Sequence, residues 1–231
     1  MPIKTEFRDK AIRSYVIRAG RMTPAQRLAF DHSWDYYGLH LDDGLLDVEQ
    51  AFGASAPLIV EIGFGMGDSL LQMARAAPDS NFVGVEVHPP GVGSILRQAT
   101  DAGLNNLRIY MADAVDVLEE CIPESSLDRL QLYFPDPWHK KKHLKRRLVQ
   151  APFMQLLRSR LRVGGVFHMA TDWQPYAEHA LDVMTHAEGY YNCVGLDCYA
   201  EKPDYRPETK FERRGERLGH GVWDLLFARE A

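Results

Sequence analysis

LIVEIGFGMGDSLLQMARAA, residues 58–77, sets a mostly apolar run, a glycine-punctuated turn and an amphipathic segment in immediate succession. LIVEI (58–62) reads as a buried strand, GFGMG (63–67) as a turn, and 68–77 as a helix capped by Asp68. Working outward, the alternation recurs. NFVGVEV (81–87) is a strand, SILRQATDAG (94–103) a helix stopped by Gly103, and NLRIYMA (106–112) and DRLQLYF (128–134) are strands flanking a helix at 114–121. A helix over 148–161 precedes the strand GGVFHMAT (164–171), and GVWDLLFA (221–228), with a further strand within 190–199, completes the sheet. Strands alternating with helices predict an α/β, doubly wound fold, its sheet mostly parallel with an antiparallel edge strand.

Upstream the pattern is weaker. Residues 1–27 are basic, and Thr23-Pro24 offers an N-cap followed by proline in the first helical turn, so an arm and then a short helix are expected. Residues 31–49 carry six acids and no Lys or Arg and read as a loop that leads into the core. The expected division is an arm and lead-in over 1–50 and a catalytic domain over 51–231. No apolar run reaches bilayer length and the start lacks a secretory apolar core, which points to a cytoplasmic protein. Cys121, Cys193 and Cys198 fit neither a disulfide framework nor zinc spacing, so no metal is expected and the thiols read as reduced and structural.

The net charge of −5 conceals a division along the chain. Three segments, 1–27, 140–147 and 206–217, sum to +13, leaving −18 elsewhere. An acidic body with basic pieces suits an enzyme that binds a polyanion.

Ligands of open α/β sheets bind at the carboxyl ends of the strands. There the chain places Glu61, Glu86, Asp113 and Asp136. Gly63, Gly65 and Gly67 let the backbone turn and approach a ligand closely, and Glu86, nineteen residues beyond Gly67, is spaced to accept from both ribose hydroxyls. A nucleoside-containing cofactor follows. A pyrophosphate would meet the negative charge of Glu61; the ammonium and sulfonium of S-adenosylmethionine would welcome it. Asp113 can accept from the adenine amine or cap the helix at 114, and one carboxylate can do both.

LQLYFPDPWHKKKHLKRR (130–147) runs from a buried strand into the densest basic cluster of the chain. Pro135 and Pro137 stiffen the turn and fix the projection of Asp136 and Trp138. Lys140, Lys141, Lys142, Lys145, Arg146 and Arg147, with His139 and His143, form a patch suited to phosphates. Trp138 is a base-stacking candidate, whereas Trp173 and Trp223 read as core.

FPDPW with its Lys/Arg run, EIGFGMG (61–67) and TKFERRGERLGHGVWDL (209–225) together resemble the bacterial tRNA (guanine-N7)-methyltransferase family, in order and in register over about residues 55–229. The resemblance implies a Rossmann-like fold and methyl transfer from S-adenosylmethionine to N7 of guanine 46 in the tRNA variable loop. It carries Glu61, Gly63, Gly65, Gly67, Glu86, Asp113 and Asp136 over as cofactor contacts, with Asp136 also the catalytic acid residue. Lys140, Asp172, Thr209, Lys210, Phe211 and Glu212 become substrate contacts. One departure is His139, where family members often carry proline. Lys141, Lys142, Lys145, Arg146, Arg147, Arg213 and Arg214, with Arg206 and Arg217, are expected to hold RNA phosphates.

Guanine N7 bears a lone pair and no proton, so the attack needs no base at that atom, and Asp136 is expected to anchor the guanine and stabilise charge. Asp172 and Glu212 suit the donor-rich N1/N2 edge; the plainer readings are a helix cap for Asp172 and a salt-bridged surface helix for 208–217. The competing functions are methylation of an exocyclic amine, a non-enzymatic RNA-binding protein and a nicotinamide-dependent oxidoreductase. A monomer is the expected state, with a homodimer the alternative.

Overall fold

The computed structural model describes residues 12–16, 20–209, 212–213 and 221–231. They fall into two compact units, one holding residues 20–123 and the other 12–16 with residues from 124 onward.

In the first unit β2 (Leu58–Ile62), β3 (Asn81–Val85) and β4 (Leu107–Tyr110) run parallel, with Leu58 opposite Asn81 and Phe82 opposite Leu107. Every residue of the three strands is buried, which is why they read as near-continuous apolar runs instead of alternating ones. The intervening helices are α3 (Asp68–Ala76) and α4 (Pro89–Ala102), and α5 (Ala114–Glu120) follows β4. Two expectations change. Asp68 is the first residue of α3 and not its cap; the cap position is Gly67 at φ +86°, where a Cβ would stand 2.7 Å from Ile95. α4 starts at Pro89, well before Ser94, because prolines in a first turn lack only a donor that the helix would leave unused anyway. Gly103, at φ +62°, ends it as expected.

The loop expected over 31–49 is instead largely regular. α1 (Pro24–Tyr37) opens on a reciprocal cap in which Thr23 Oγ1 accepts from the Gln26 amide and Gln26 Oε1 accepts from the Thr23 amide. β1 (Gly38–Leu39) adds to β4 in parallel, and α2 (Val48–Phe52) follows. Phe30, Ser33 and Tyr37 face inward at helical spacing while Asp31 and Asp35 face solvent, so the acids that suggested a loop are the wet face of a helix. The Ser33 hydroxyl meets that of Thr100 at 2.8 Å, and Tyr37 donates to the Leu104 carbonyl, docking α1 along α4.

In the second unit β5 (Leu127–Tyr133) pairs in parallel with β6 (Leu161–Thr171), preceded by α6 (Ala151–Arg160) and followed by α7 (Gln174–Thr185). β8 (Trp223–Arg229) runs antiparallel to β6, and the three-residue β7 (Tyr190–Asn192) runs antiparallel to β8. The class is therefore α/β, with a mostly parallel sheet and antiparallel edge strands. No helix among the described residues is long and apolar enough to cross a membrane. Among them no group of three or more His, Cys, Asp or Glu is arranged to hold a metal. Cys121 is buried, whereas Cys193 and Cys198 are exposed, so a structural role fits only the first.

Candidate active site

In the first unit the turn after β2 and the end of β3 meet. Glu86 is 9% exposed; its Oε2 accepts from the Gly65 amide at 2.9 Å and its Oε1 from the amides of Val87 and His88 at 2.7 and 3.0 Å. Burial raises its pKa against the pull of those amides. The close approach depends on Gly91, where a Cβ would stand 2.1 Å from the Gly65 carbonyl oxygen. Space opens on the other side: a Cβ on Gly63 or Gly65, both at positive φ, would meet nothing within 4 Å.

Glu61, on β2, is fully buried and its Oε2 has no hydrogen-bond partner. Burial foremost, with the neighbouring Glu86 charge, pushes its pKa up to about 8, and the nearby Ser69 hydroxyl only moderates this. Among the described residues no Lys or Arg pairs with Glu61 or Glu86. An orphaned buried carboxylate beside an open glycine cradle fits a ligand that brings its own positive charge. It fits a pyrophosphate badly. Asp113 accepts from the Val115 amide at 2.9 Å, so the capping reading holds for it, whatever else its carboxylate touches.

In the second unit Asp136 is exposed at the tip of the turn after β5. Phe134 and Trp138, on either side of Pro135-Asp136-Pro137, lie at φ +49° and +50°, a left-handed conformation that bulky residues adopt only when their surroundings impose it. The Phe134 amide is tied to the Ala170 carbonyl of β6 at 2.8 Å. Trp138 Nε1 donates to the Ser14 carbonyl, and the Arg146 guanidinium lies 3.8 Å over its ring. Trp138 therefore has one face covered already. Asp172 follows β6 partly exposed, and the cap position of α7 belongs to Trp173, so the capping reading of Asp172 falls away. The His139 ring packs edge-on against Trp173 at 4.3 Å.

The basic segment divides in two. Lys140, Lys141, Lys142 and Lys145 are exposed on or beside a 3-10 helix over Lys141–Arg146. Arg146 and Arg147 are engaged elsewhere and correct the expectation of a six-cation patch. Arg146 donates to the carbonyls of Arg13 and Tyr15, and Arg147, 5% exposed, to those of Pro137 and Pro175. His143 does not add a charge: partial burial and the cations Lys142, Arg146, Lys140 and Lys145 hold its pKa below the ordinary value.

A buried polar network, missed in the sequence, holds Lys202, Arg206, Thr209 and Glu212. Arg206 Nη1 and Nη2 donate to the two oxygens of Glu212 at 2.8 and 3.1 Å, and Nη2 also to Asp224 Oδ2 at 2.9 Å. Lys202 reaches Glu212 at 3.3 Å, and Asp224 Oδ1 lies 2.7 Å from His168 Nε2. Tyr133 and Tyr205 both approach His168 Nδ1 at 3.0 Å. Burial alone would raise Glu212, but the Arg206 guanidinium reverses this and holds its pKa below the ordinary carboxylate range. Thr209 and Glu212 cap each other, Thr209 Oγ1 accepting from the Glu212 amide at 3.1 Å and Glu212 Oε2 from the Thr209 amide. The expectation that Arg206 contacts phosphate is corrected: it is buried between two carboxylates. Glu212, expected to read the guanine edge, has both oxygens committed. The available signal was a His and an Asp interrupting two apolar strands, which marks a buried pair. Arg213 is exposed and pairs with Glu208 at 3.6 Å. Lys210, Phe211, Arg214 and Arg217 lie outside the described residues.

Comparisons with known proteins agree with this architecture. The family model Methyltransf_4, described as "Putative methyltransferase", matches residues 55–225. The chain is 61% identical to the tRNA (guanine-N(7)-)-methyltransferase of Saccharophagus degradans, over 98% of this chain and 99% of that protein. It is 58% identical to the protein of the same name from Yersinia pestis, over 96% and 92%. Among solved structures it is similar to the 16S rRNA methyltransferase KamB at 21% identity and a TM-score of 0.58, covering 81% of this chain and 95% of that one. A 16S rRNA (adenine(1408)-N(1))-methyltransferase variant from Catenulisporales acidiphilia, with cosubstrate SAM, matches at 17% identity and a TM-score of 0.55, covering 84% and 92%. At such identities the structural likeness carries the fold alone.

Proposed function

The chain belongs to the tRNA (guanine-N(7)-)-methyltransferase family, and from that premise we propose that it methylates N7 of guanine 46 in the tRNA variable loop, in the cytoplasm and as a monomer. S-adenosylmethionine, when bound, supplies the methyl group as an electrophilic sulfonium. Glu61 would hold its ammonium, Glu86 its ribose hydroxyls and Asp113 its adenine amine; the space left open at Gly63 and Gly65 and the unpartnered Glu61 oxygen support this assignment. The Gly65, Val87 and His88 amides fix the Glu86 carboxylate that would hold the hydroxyls.

On the substrate side Asp136 accepts from the guanine and, ionised, balances the positive charge that the ring acquires as N7 is alkylated. Asp172 accepts from the N1/N2 edge, which selects guanine because adenine presents no N1 hydrogen. Thr209, Lys210 and Phe211 complete the substrate contacts, with Glu212 tied to Arg206 and capping Thr209. No proton leaves N7, so catalysis is a matter of position and field. Lys140, Lys141, Lys142 and Lys145, with Arg213 and Arg214, bind tRNA phosphates.

The observation that carries this reading is the strained prolyl turn that presents Asp136 directly ahead of four exposed lysines. The experiment is to incubate the purified protein with unmodified tRNA and labelled S-adenosylmethionine and to map the product. Borohydride and aniline should break the strand at guanine 46, as they do at 7-methylguanosine. Label incorporated without cleavage would mean an exocyclic amine instead, and no incorporation would leave a binding protein.

A further inference from the structure

Arg147 sits in the densest basic run of the chain, yet its guanidinium faces inward. It is 5% exposed, and its Cζ lies 4.6 Å from the centre of the fully buried Tyr176 ring. Nε donates to the Pro137 carbonyl and Nη1 to the Pro175 carbonyl, both at 3.0 Å. These acceptors belong to different turns. Pro137 lies between Asp136 and the left-handed Trp138; Pro175 stands in the first turn of α7, three residues after Asp172. A second contact joins the same two turns, the His139 ring against Trp173.

We propose that Arg147 is a positioning residue for the methyl-transfer reaction: it clamps the Asp136 turn to the Asp172 turn, so that both acids meet one guanine in fixed register. The inference rests on the proposed role of those two acids. A left-handed Trp138 persists only while its neighbours over-determine it, and the Pro137 carbonyl is held by a buried cation that RNA does not need to supply. A planar fork set over an aromatic ring can donate to two divergent carbonyls at once; a lysine ammonium in the same place has neither the plane nor the reach. Two acids reading one base from separate turns are sensitive to small displacements, since about 1 Å of misplacement costs on the order of 100-fold in rate.

The test compares Arg147→Lys and Arg147→Met with wild type and Asp136→Asn by single-turnover methylation, tRNA binding at several salt concentrations, calorimetric binding of S-adenosylmethionine and thermal unfolding. The expected result for Arg147→Lys is cooperative unfolding, wild-type affinity for tRNA and cofactor, an unchanged salt slope, and a rate at saturating substrates lower by about 100-fold. Placed in the Asp136→Asn background, the same substitution should cost far less, because its effect runs through that acid. Weaker tRNA binding with a flatter salt slope would make Arg147 a phosphate contact and overturn the proposal. So would a full, additive loss in the Asp136→Asn background, or a lowered melting temperature with the rate preserved. If Arg147→Met does not fold, Arg147→Lys carries the test alone. A wild-type enzyme that yields no 7-methylguanosine would sink the functional reading instead, and it would do so before any variant is made.

Discussion

The buried carboxylates Glu212 and Asp224 differ in one respect from the buried pair Glu61 and Glu86. Glu212 and Asp224 share the Arg206 guanidinium, and Glu212 is stabilised in its charged form. Glu61 and Glu86 have no Lys or Arg partner among the described residues, and burial raises both. A buried acid with its own counterion is part of the scaffold. One without a counterion spends folding free energy that a cationic ligand can recover, which makes it a candidate for binding. Sequence position alone did not separate the two, since Glu212 lies within a motif assigned to substrate.

The sharpest way to break this comparison is Arg206→Met. It strands two buried carboxylates and should cost about 3–5 kcal/mol of stability, read from denaturant unfolding; a loss of tRNA affinity with stability intact would return Arg206 to the RNA interface. Next is Asp136→Asn, which keeps the shape and removes the charge and should slow single turnover by about 100- to 1000-fold at saturating tRNA. A near-normal rate would remove Asp136 from the chemistry.

Glu61→Gln should move stability and binding in opposite directions. Affinity for S-adenosylmethionine falls by about 1.5–3 kcal/mol in calorimetry, while the free protein is stabilised above neutral pH. The sign follows from linkage: the folded state holds the Glu61 proton to about pH 8 and the unfolded state only to its ordinary 4.5. Stability is therefore lost as pH rises through that window, and the glutamine variant should lack this component. The same linkage makes cofactor binding release a proton near neutral pH, visible as a dependence of the binding heat on the buffer. A heat independent of buffer would mean that Glu61 stays protonated beside the ligand.

The smallest effect belongs to the lysines. The loop's four phosphate contacts, not six, contribute about 100-fold to the affinity loss between about 50 and 200 mM salt, and replacing Lys140, Lys141 and Lys142 with alanine should reduce that contribution to a few-fold. An unchanged slope would take the loop out of the interface.

β2, β3 and β4 were legible because every residue in them is buried, which leaves mostly apolar runs. The glycine turn and the elbow were legible because their residue types are demanded by backbone geometry. What escaped was partnership. Charge density marked Arg146, Arg147 and Arg206 as RNA contacts, but a guanidinium can as readily turn inward to carbonyls or carboxylates, and the sequence does not say which way it points. The acidic lead-in misled for the opposite reason: Asp31 and Asp35 lie on the wet face of α1, and their number outweighed the spacing of Phe30, Ser33 and Tyr37.

Arg146 and Trp138 hold the main-chain oxygens of Arg13, Ser14 and Tyr15. Carbonyls are the same whatever side chain they accompany, so this attachment is indifferent to the letters of the arm. The three bonds beside the elbow would therefore outlast substitutions at residues 13–15 that would erase a side-chain motif.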